Sequence, residues 1–139
     1  MKDTVLISEK IKSFRKKISI PGDKSLSIRW ALMASQAIGK SKAYNLLNSE
    51  DVNSSLVALK KLGIKVKKKI NYCEIIGNGL NSFSFKNNTI INAQNSGTLA
   101  RLILGLLAKS NKTVILKGDA SLSKRDFSRV INPLNHFGV

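Results

Sequence analysis

A repeated segment limits the folds open to this chain more than any other feature of its sequence. The segment at 59–64, LKKLGI, recurs in form at 134–139 as LNHFGV. Each copy follows a polar loop, an apolar helical pattern, a β-like run and a second helical pattern, and each apolar pattern holds one arginine, Arg29 or Arg101. Such self-similarity indicates structural units that pack on one another. The sequence therefore predicts an α/β (α+β) fold of two β-α-β-α units, the second of them truncated.

Helical and β-like patterns alternate along the chain. Apolar residues recur at helical spacing from Val52 to Leu62, and Gly63 then stands where a glycine commonly ends a helix. Pro133 is expected to bend the last helix or to mark a late start. Helices are predicted at 24–38, 51–62, 96–109 and 124–137. Strands are predicted at 5–7, 17–20, 43–47, 64–67, 72–76, 82–85, 89–91 and 113–117.

The charge of the chain is far from balanced. It holds 24 lysines and arginines against 8 acidic residues, a formal net charge of +16. A nucleic-acid-binding module would explain this charge. However, the lysines are scattered and aromatic residues make up only 6% of the chain, so a base-stacking platform has little to use. We therefore interpret the lysines as a solvated surface that steers anionic ligands, and we expect no nucleic-acid partner.

Cysteine and histidine usage excludes several kinds of site. The single cysteine, Cys73, allows no intrachain disulfide and no cysteine-cluster metal site, and we interpret it as a small buried residue. The single histidine, His136, lies in a helical pattern and is expected to be a surface or packing residue. No apolar run has the length of a signal peptide core or a membrane span, so we expect a cytoplasmic protein.

The first candidate site lies where a β-like run opens directly into a helix. The run ends at Pro21 and Gly22, and the first turns of the helix carry Lys24, Ser25 and Arg29. Backbone N–H groups at a helix start lack intrahelical partners, and the helix dipole favours anions there. A lysine, a hydroxyl and an arginine add charge and directed donors to the same spot. This arrangement predicts half of a site for a phosphorylated or carboxylated small molecule.

A second loop repeats this chemistry. After another β-like run come Asn95, Ser96, Gly97 and Thr98, with Arg101 one turn into the next helix. Glycine permits close approach of backbone N–H groups to a ligand, and Ser96 or Thr98 can cap the helix. A single loop of this kind is better explained as an ordinary helix cap with a surface arginine. Two equivalent loops in related units favour one shared anionic site, and the basic pair at 124–125 is a third candidate.

Motifs of other chemistries are lacking. The sequence contains no G-x-x-x-x-G-K-[ST], no G-x-G-x-x-G and no H-E-x-x-H segment. One histidine supports no Ser-His-Asp set. Most of the carboxylates suited to acid–base chemistry stand at helix starts, where capping explains them.

Three segments occur in an order and spacing typical of one enzyme family. Residues 21–29 read PGDKSLSIR, residues 95–101 NSGTLAR and residues 118–125 GDASLSKR. They resemble the P-G-[DS]-K-S-x-[ST]-x-R, N-S-G-T-x-x-R and G-D-x-S-L-x-x-R motifs of the 5-enolpyruvylshikimate-3-phosphate synthases (3-phosphoshikimate 1-carboxyvinyltransferases). The resemblance runs from about Lys16 to the end of the chain. It implies enolpyruvyl transfer from phosphoenolpyruvate to the 5-hydroxyl of shikimate 3-phosphate, in the shikimate pathway to chorismate and the aromatic amino acids, without metal or organic cofactor.

The resemblance also implies roles for residues of the three motifs. The residues that would hold phosphoenolpyruvate are Lys24, Gly97 and Arg125. Those that would hold shikimate 3-phosphate are Lys24, Ser25 and Arg29. Those that would support the second loop are Asn95, Thr98 and Arg101. The acid–base residues of the family fall in sequence that this chain does not contain, so we expect the chain alone to bind substrate weakly and not to turn over.

The family fold has two similar domains, each of three βαβαββ units, that close on the substrates. By this resemblance, residues 1–20 are leading strands and a hinge that belong to the opposite domain, and residues 21–139 form a partial domain of about two units. A full-length enzyme is expected to be a monomer. The chain departs from the family pattern at three positions: Asp126 replaces a usual proline, Gln94 a common glycine and Ile28 a common polar residue.

Three alternatives compete with this interpretation. The nearest is the related UDP-N-acetylglucosamine enolpyruvyl transferase, whose corresponding loop carries Lys-Asn where this chain has Lys24 and Ser25. A basic nucleic-acid-binding module belongs to a different class and predicts a steep loss of polynucleotide affinity with salt. The third is a non-catalytic remnant that folds without its partner half.

Overall fold

Four α-helices and five β-strands form the part of the chain that the computed structural model describes, residues 9–10, 13, 15 and 17–139. The helices are α1 (Lys24–Gln36), α2 (Glu50–Lys61), α3 (Gly97–Leu107) and α4 (Ser128–His136), and a 3₁₀ turn spans Leu122–Lys124. The strands are β1 (Ile38–Tyr44), β2 (Lys65–Lys68), β3 (Tyr72–Asn78), β4 (Thr89–Asn92) and β5 (Val114–Lys117). The expected mixed α/β fold is confirmed, and the strand expected at 5–7 lies outside the described residues.

The strands form two separate sheets. β3 lies between β1 and β2 and pairs antiparallel with both. β4 and β5 pair in parallel, and α3 connects them. A parallel pair requires a crossover of this kind, because its strands run in the same direction. The β-α-β-α order expected of the second unit is therefore confirmed.

One apolar core joins the two units. Ile28 of α1, Leu59 of α2 and Ile103 of α3 are fully buried in it. Cys73 of β3 belongs to the same core, and burial raises the pKa of its thiol. The interpretation of this cysteine as a buried packing residue is confirmed, and His136 is exposed as expected.

The two copies of the repeated segment end their helices in the same way. In the first copy, the N–H of Gly63 donates to the carbonyl of Lys60 (3.1 Å) and that of Ile64 to the carbonyl of Leu59 (3.0 Å). The same two bonds recur at Gly138 and the residue after it. Both glycines have a positive φ, 87° and 79°. This is the Schellman arrangement, in which glycine adopts the left-handed conformation without strain, so the repeat in sequence is also a repeat in structure.

Two of the expected strands are wrong. Residues 17–20 form no strand, because no described strand lies alongside to share a hydrogen-bond ladder. The side chains of Ile18 and Ile20 are exposed. Residues 82–85 also form no strand. Phe85 is buried there, so the apolar pattern marks a core contact rather than a ladder.

Strand pairing shifts two further boundaries. The strand expected at 43–47 runs instead from Ile38 to Tyr44, because these residues pair along the length of β3. The helix expected at 24–38 ends at Gln36, because Ile38 already pairs with β3. The local sequence of this stretch, IGKSKAY, does not by itself favour a strand, and the tertiary partner selects it.

The last helix starts later than the expected 124–137. Arg125 is extended, with φ −79° and ψ 141°, and separates the 3₁₀ turn from α4. The carboxylate of Asp126 then accepts bonds from the backbone N–H (2.8 Å) and the hydroxyl (2.6 Å) of Ser128. These bonds stabilise the start of α4, and they lower the pKa of Asp126. The late start is one of the two alternatives expected from Pro133, although Pro133 itself lies inside α4.

β3 packs directly on the C-terminal end of α1 at Gly77. A Cβ at this position would overlap the carbonyl oxygens of Ala34 and Ala37, which are backbone atoms and cannot swing aside. Gly105 of α3 differs, because nothing lies within 4 Å of a Cβ added there.

We expect Gly77→Ala to lower the free energy of unfolding by about 2 kcal/mol, because β3 must move away from α1. The matched control, Gly105→Ala, should raise it by about 0.5–1 kcal/mol, since alanine is the better helix former. Urea unfolding followed by circular dichroism measures both changes. Equal stability of the Gly77→Ala variant and the unaltered chain would contradict the close packing of β3 on α1.

The lowered pKa of Asp126 predicts a contribution to stability that depends on pH. Because the ionised form is favoured in the folded chain, the contribution should be complete above the ordinary aspartate value of 3.8 and be lost as the pH falls through the lower folded-state pKa. The difference in free energy of unfolding between the chain and Asp126→Ala, measured in urea, should therefore be constant near neutral pH and shrink below a pH of about 4. A difference that persists unchanged to a pH of about 2 would show that the carboxylate charge is irrelevant.

Candidate functional site

The start of α1 is held against the loop that follows β1. The carboxylate of Asp23 caps the helix by accepting a bond from the N–H of Leu26 (2.7 Å). The side-chain amide of Asn45 donates to the carbonyl of Ile20 (2.9 Å). A Cβ on Gly22 would overlap the carbonyl oxygen of Asn45, so a glycine is required for the two loops to touch. The first predicted site is thus fixed to the sheet.

Lys24 connects the starts of two helices. Its Nζ lies 3.1 Å from Oδ2 of Asp51, in the first turn of α2. Ser25 is half-buried beside it, and Arg29 is exposed about one turn further along α1. The three predicted residues therefore stay together at the N-terminal end of α1.

The end of β4 also lies beside the start of α2. One groove is lined by Glu50 and Asn53 of α2 together with Asn92 and Gln94. Because β4 leads directly into α3, the N-terminal ends of α1, α2 and α3 gather at one end of the core. Each helix dipole places partial positive charge there, which favours anions at this end of the molecule.

The second loop keeps a conformation that suits glycine. Ser96, not Thr98, caps α3, and its Oγ accepts a bond from the N–H of Leu99 (3.3 Å). Gln94 has φ 52°, in the left-handed region. Glutamine replaces the glycine common in the family at this position, so the departure alters the side chain and costs some backbone strain.

Two arginine side chains meet above Gly97, the first residue of α3. A Cβ built on Gly97 would lie 2.8 Å from Nη1 of Arg125 and 2.9 Å from Nη1 of Arg101. Across the described ranges, the ion pairs involve other residues, so neither guanidinium has a carboxylate partner. Two guanidinium groups without such partners, beside a helix N-terminus, can bind an anion through charge and directed N–H donors.

Each arginine is held by a different contact. Nη2 of Arg125 donates to Oδ1 of Asn95 (2.5 Å), whose Nδ2 donates in turn to Oδ2 of Asp119 (2.8 Å). Nη2 of Arg101 donates to the carbonyl of Asp126 (3.1 Å), and its guanidinium carbon lies 5.2 Å from the ring centre of Phe127. Asn95 thus contacts both Arg125 and Asp119, while Arg101 lies as close to Gly97 as Arg125 does.

The structure brings the predicted residues together as two groups. Gly97, Asn95, Arg101 and Arg125 form one, and the residues of α1 form the other. No hydrogen bond or ion pair joins the two groups in the part of the chain that the structure describes. A cavity of about 460 Å³ lies elsewhere, beside residues 68–73, and holds none of these residues.

The sequence analysis assigned no role to Asp119 or Asp126. Asp119 stands inside the third motif, which is the one signal that could have identified it. Asp126 gave no signal of its contact with Arg101, because that bond is accepted by its backbone carbonyl in the segment between the 3₁₀ turn and α4.

The described part of the chain shows neither a cluster of metal-binding side chains nor a membrane-spanning helix. The described residues contain no group of three or more His, Cys, Asp and Glu side chains suited to holding a metal ion. None of the helices found among them has both the length and the apolar character needed to cross a membrane.

Comparison with known proteins identifies the family. The profile of "EPSP synthase (3-phosphoshikimate 1-carboxyvinyltransferase)" matches residues 8–139. The 3-phosphoshikimate 1-carboxyvinyltransferase of Streptococcus mutans is 43% identical over 122 residues, which are 88% of this chain and 28% of the relative. That of Petrotoga mobilis is 42% identical over 123 residues, 87% of this chain and 28% of the relative.

Comparison with solved structures points to the same family. An EPSP synthase from Acinetobacter baumannii superposes with a TM-score of 0.82 at 32% sequence identity, over 91% of this chain and 29% of that protein. This chain therefore spans little more than a quarter of the relatives it matches. The family profile covers nearly the whole chain, and the chain belongs to the EPSP synthase family.

Proposed function

We propose that this chain forms part of a 3-phosphoshikimate 1-carboxyvinyltransferase. In that reaction the 5-hydroxyl of shikimate 3-phosphate loses its proton as its oxygen bonds to the enol carbon of phosphoenolpyruvate, and the neighbouring methylene carbon gains a proton, giving a tetrahedral intermediate. The bond from the former enol carbon to the phosphate oxygen then breaks, the methyl group loses a proton to restore the double bond, and inorganic phosphate leaves. The observation that carries the proposal is the pair of guanidinium groups over Gly97 at the start of α3. Both substrates are polyanions, so a site of this charge suits them.

The proposed binding roles follow the two groups of residues. Gly97 contacts phosphoenolpyruvate through its backbone N–H and Arg125 through its guanidinium, with Lys24 as the third contact. Shikimate 3-phosphate is held by Lys24, Ser25 and Arg29. A bidentate guanidinium suits a carboxylate or phosphate, and a hydroxyl and a lysine at a helix start suit a phosphate.

The two groups of residues lie at the ends of helices that share one core. Lys24 is tied to α2 by Asp51, and the groove between α2 and the end of β4 leads to the second loop. This arrangement supports a single anionic site across the helix starts. In that site Asn95, Thr98 and Arg101 shape the loop, and the acid–base residues come from sequence outside this chain.

We also propose the domain arrangement of the complete enzyme. Residues 1–20 belong to the opposite domain with a hinge near Pro21, and residues 21–139 form a partial domain of about two repeat units. The exposed apolar side chains of Ile18 and Ile20 suit burial against that domain. The complete enzyme acts as a cytoplasmic monomer on small anions rather than on nucleic acid.

The role of Arg125 can be tested by substitution. Arg125→Ala should weaken phosphoenolpyruvate binding in the presence of shikimate 3-phosphate by about tenfold, because a charge-assisted hydrogen bond is lost. Arg129→Ala removes the same charge from an exposed position of α4 and should change the affinity by less than about twofold. Titration of the ¹⁵N-labelled chain, followed through the Gly97 amide, measures both.

Equal effects of the two substitutions would mean that overall charge, and not the position of Arg125, governs binding. Binding of polynucleotide without any binding of either substrate would favour the nucleic-acid alternative, and that affinity should then fall steeply with salt.

Turnover gives a separate test. The purified chain, incubated with both substrates, should release no phosphate above background, since the acid–base residues lie elsewhere in the family sequence. The Arg125→Ala variant, purified in the same way, controls for traces of host enzyme. Phosphate release that this substitution abolishes would show that the chain contains its own acid–base groups.

A further inference from the structure

Asp119 has contacts that the proposed binding roles do not explain. It is half-buried just after β5. Its backbone N–H donates to the carbonyl of Gln94 (2.9 Å), and its Oδ1 accepts a bond from the N–H of Leu122 (2.7 Å). These bonds join it to the second loop, which carries Asn95, and to the 3₁₀ turn, which ends directly before Arg125.

The other carboxylate oxygen of Asp119 determines which way the Asn95 amide points. Oδ2 accepts a bond from Nδ2 of Asn95 at 2.8 Å. An ionised carboxylate offers only acceptors, so the amide must turn its NH₂ group toward Asp119 and its oxygen away. That oxygen accepts the bond from Nη2 of Arg125 at 2.5 Å. The charge of Asp119 therefore sets the direction of both bonds.

The orientation of Arg125 follows from this chain of bonds. The guanidinium is planar, so holding Nη2 at Asn95 also fixes the direction of Nη1, which lies over Gly97. We infer that Asp119 is a positioning residue that acts through Asn95 to aim Arg125 at an anion bound over the N-terminus of α3. The inference takes the identity of that anion, phosphoenolpyruvate, from the proposed function, whereas the orientation of Arg125 is measurable without any ligand.

Charge alone and positioning predict opposite results for the removal of Asp119. Loss of a carboxylate near two guanidinium groups makes the site more positive, so charge alone predicts tighter anion binding. Positioning predicts weaker binding, because an amide at position 119 no longer forces the Asn95 oxygen toward Arg125. Asp126→Asn is a matched control that removes the same charge nearby, has no bond to Asn95 and keeps an amide oxygen to accept from Ser128.

The first measurement needs no ligand. In the ¹⁵N-labelled chain, the hydrogen-bonded Nη2 group of Arg125 should rotate slowly and give resolved guanidinium signals. Asp119→Asn should return these signals to the fast averaging of a solvated arginine such as Arg129, while Asp126→Asn leaves them resolved. Asn95→Ala retains the bond from the N–H of Leu122 to the carboxylate of Asp119, so it tests the same chain of bonds should Asp119→Asn fail to fold.

The second measurement is a rescue. Asn95→Asp combined with Asp119→Asn exchanges the two side chains and preserves every bond: the amide at 119 donates to the carboxylate at 95, which accepts from Arg125. The comparison is with Asn95→Asp alone, in which two carboxylates face each other with no donor between them. A role of residue 119 limited to stabilising the loop predicts the same Arg125 signals in this single variant and in the double variant, whereas positioning predicts them only in the double variant.

Binding of phosphoenolpyruvate completes the test. We expect affinity to fall about tenfold in Asp119→Asn, to change less than about twofold in Asp126→Asn and to recover in the double variant. Resolved Arg125 signals in Asp119→Asn or Asn95→Ala, or no recovery in the double variant, would overturn the inference. Failure of the unaltered chain to bind phosphoenolpyruvate would contradict the proposed function alone, since the guanidinium signals still decide the role of Asp119.

Discussion

The packing of α1, α2 and α3 around one apolar core is the constraint on which the rest of this structure depends. The buried faces of the three helices hold residues such as Ile28, Leu59 and Ile103. Because these faces share one core, the helix starts gather at one end, where α1 meets α2 at Lys24 and Asp51. The site is therefore a consequence of core packing, since each helix brings its dipole and its first-turn side chains to the same place.

Polar contacts hold two arginine side chains in defined positions beside these helix starts. Arg125 lies over Gly97 because Asn95 holds one of its nitrogens, and Arg101 lies there because the chain before α4 holds it from the other side. The absence of a Cβ at Gly97 leaves room for both guanidinium groups. Their mutual repulsion is tolerated because carbonyl and amide oxygens accept from them, and a bound polyanion would neutralise the charge that is left.

Much of the fold and part of the site could be predicted from the sequence. The repeated Gly-ended helix was correctly predicted, because a positive φ after a helix restricts that position to glycine, and Gly63 and Gly138 obey the restriction. The strands at 17–20 and 82–85 were wrongly predicted, because an apolar run such as that around Ile18 does not tell whether a neighbouring strand exists. The contact of Asp119 with Asn95 and that of Arg101 with the carbonyl of Asp126 could not be predicted, since they join residues 24 and 25 positions apart.

The sequence by itself determined the presence of four helices, the glycine-ended helix that repeats and the chemistry at the helix starts. These features depend on residues a few positions apart, such as Asp23 with Leu26 and Gly63 with Lys60. Tertiary structure alone decided which loops meet, which strands pair and which arginines lie over Gly97. Those contacts join residues that are distant in sequence, and their free energy exists only once the core has closed and brought them within reach of one another.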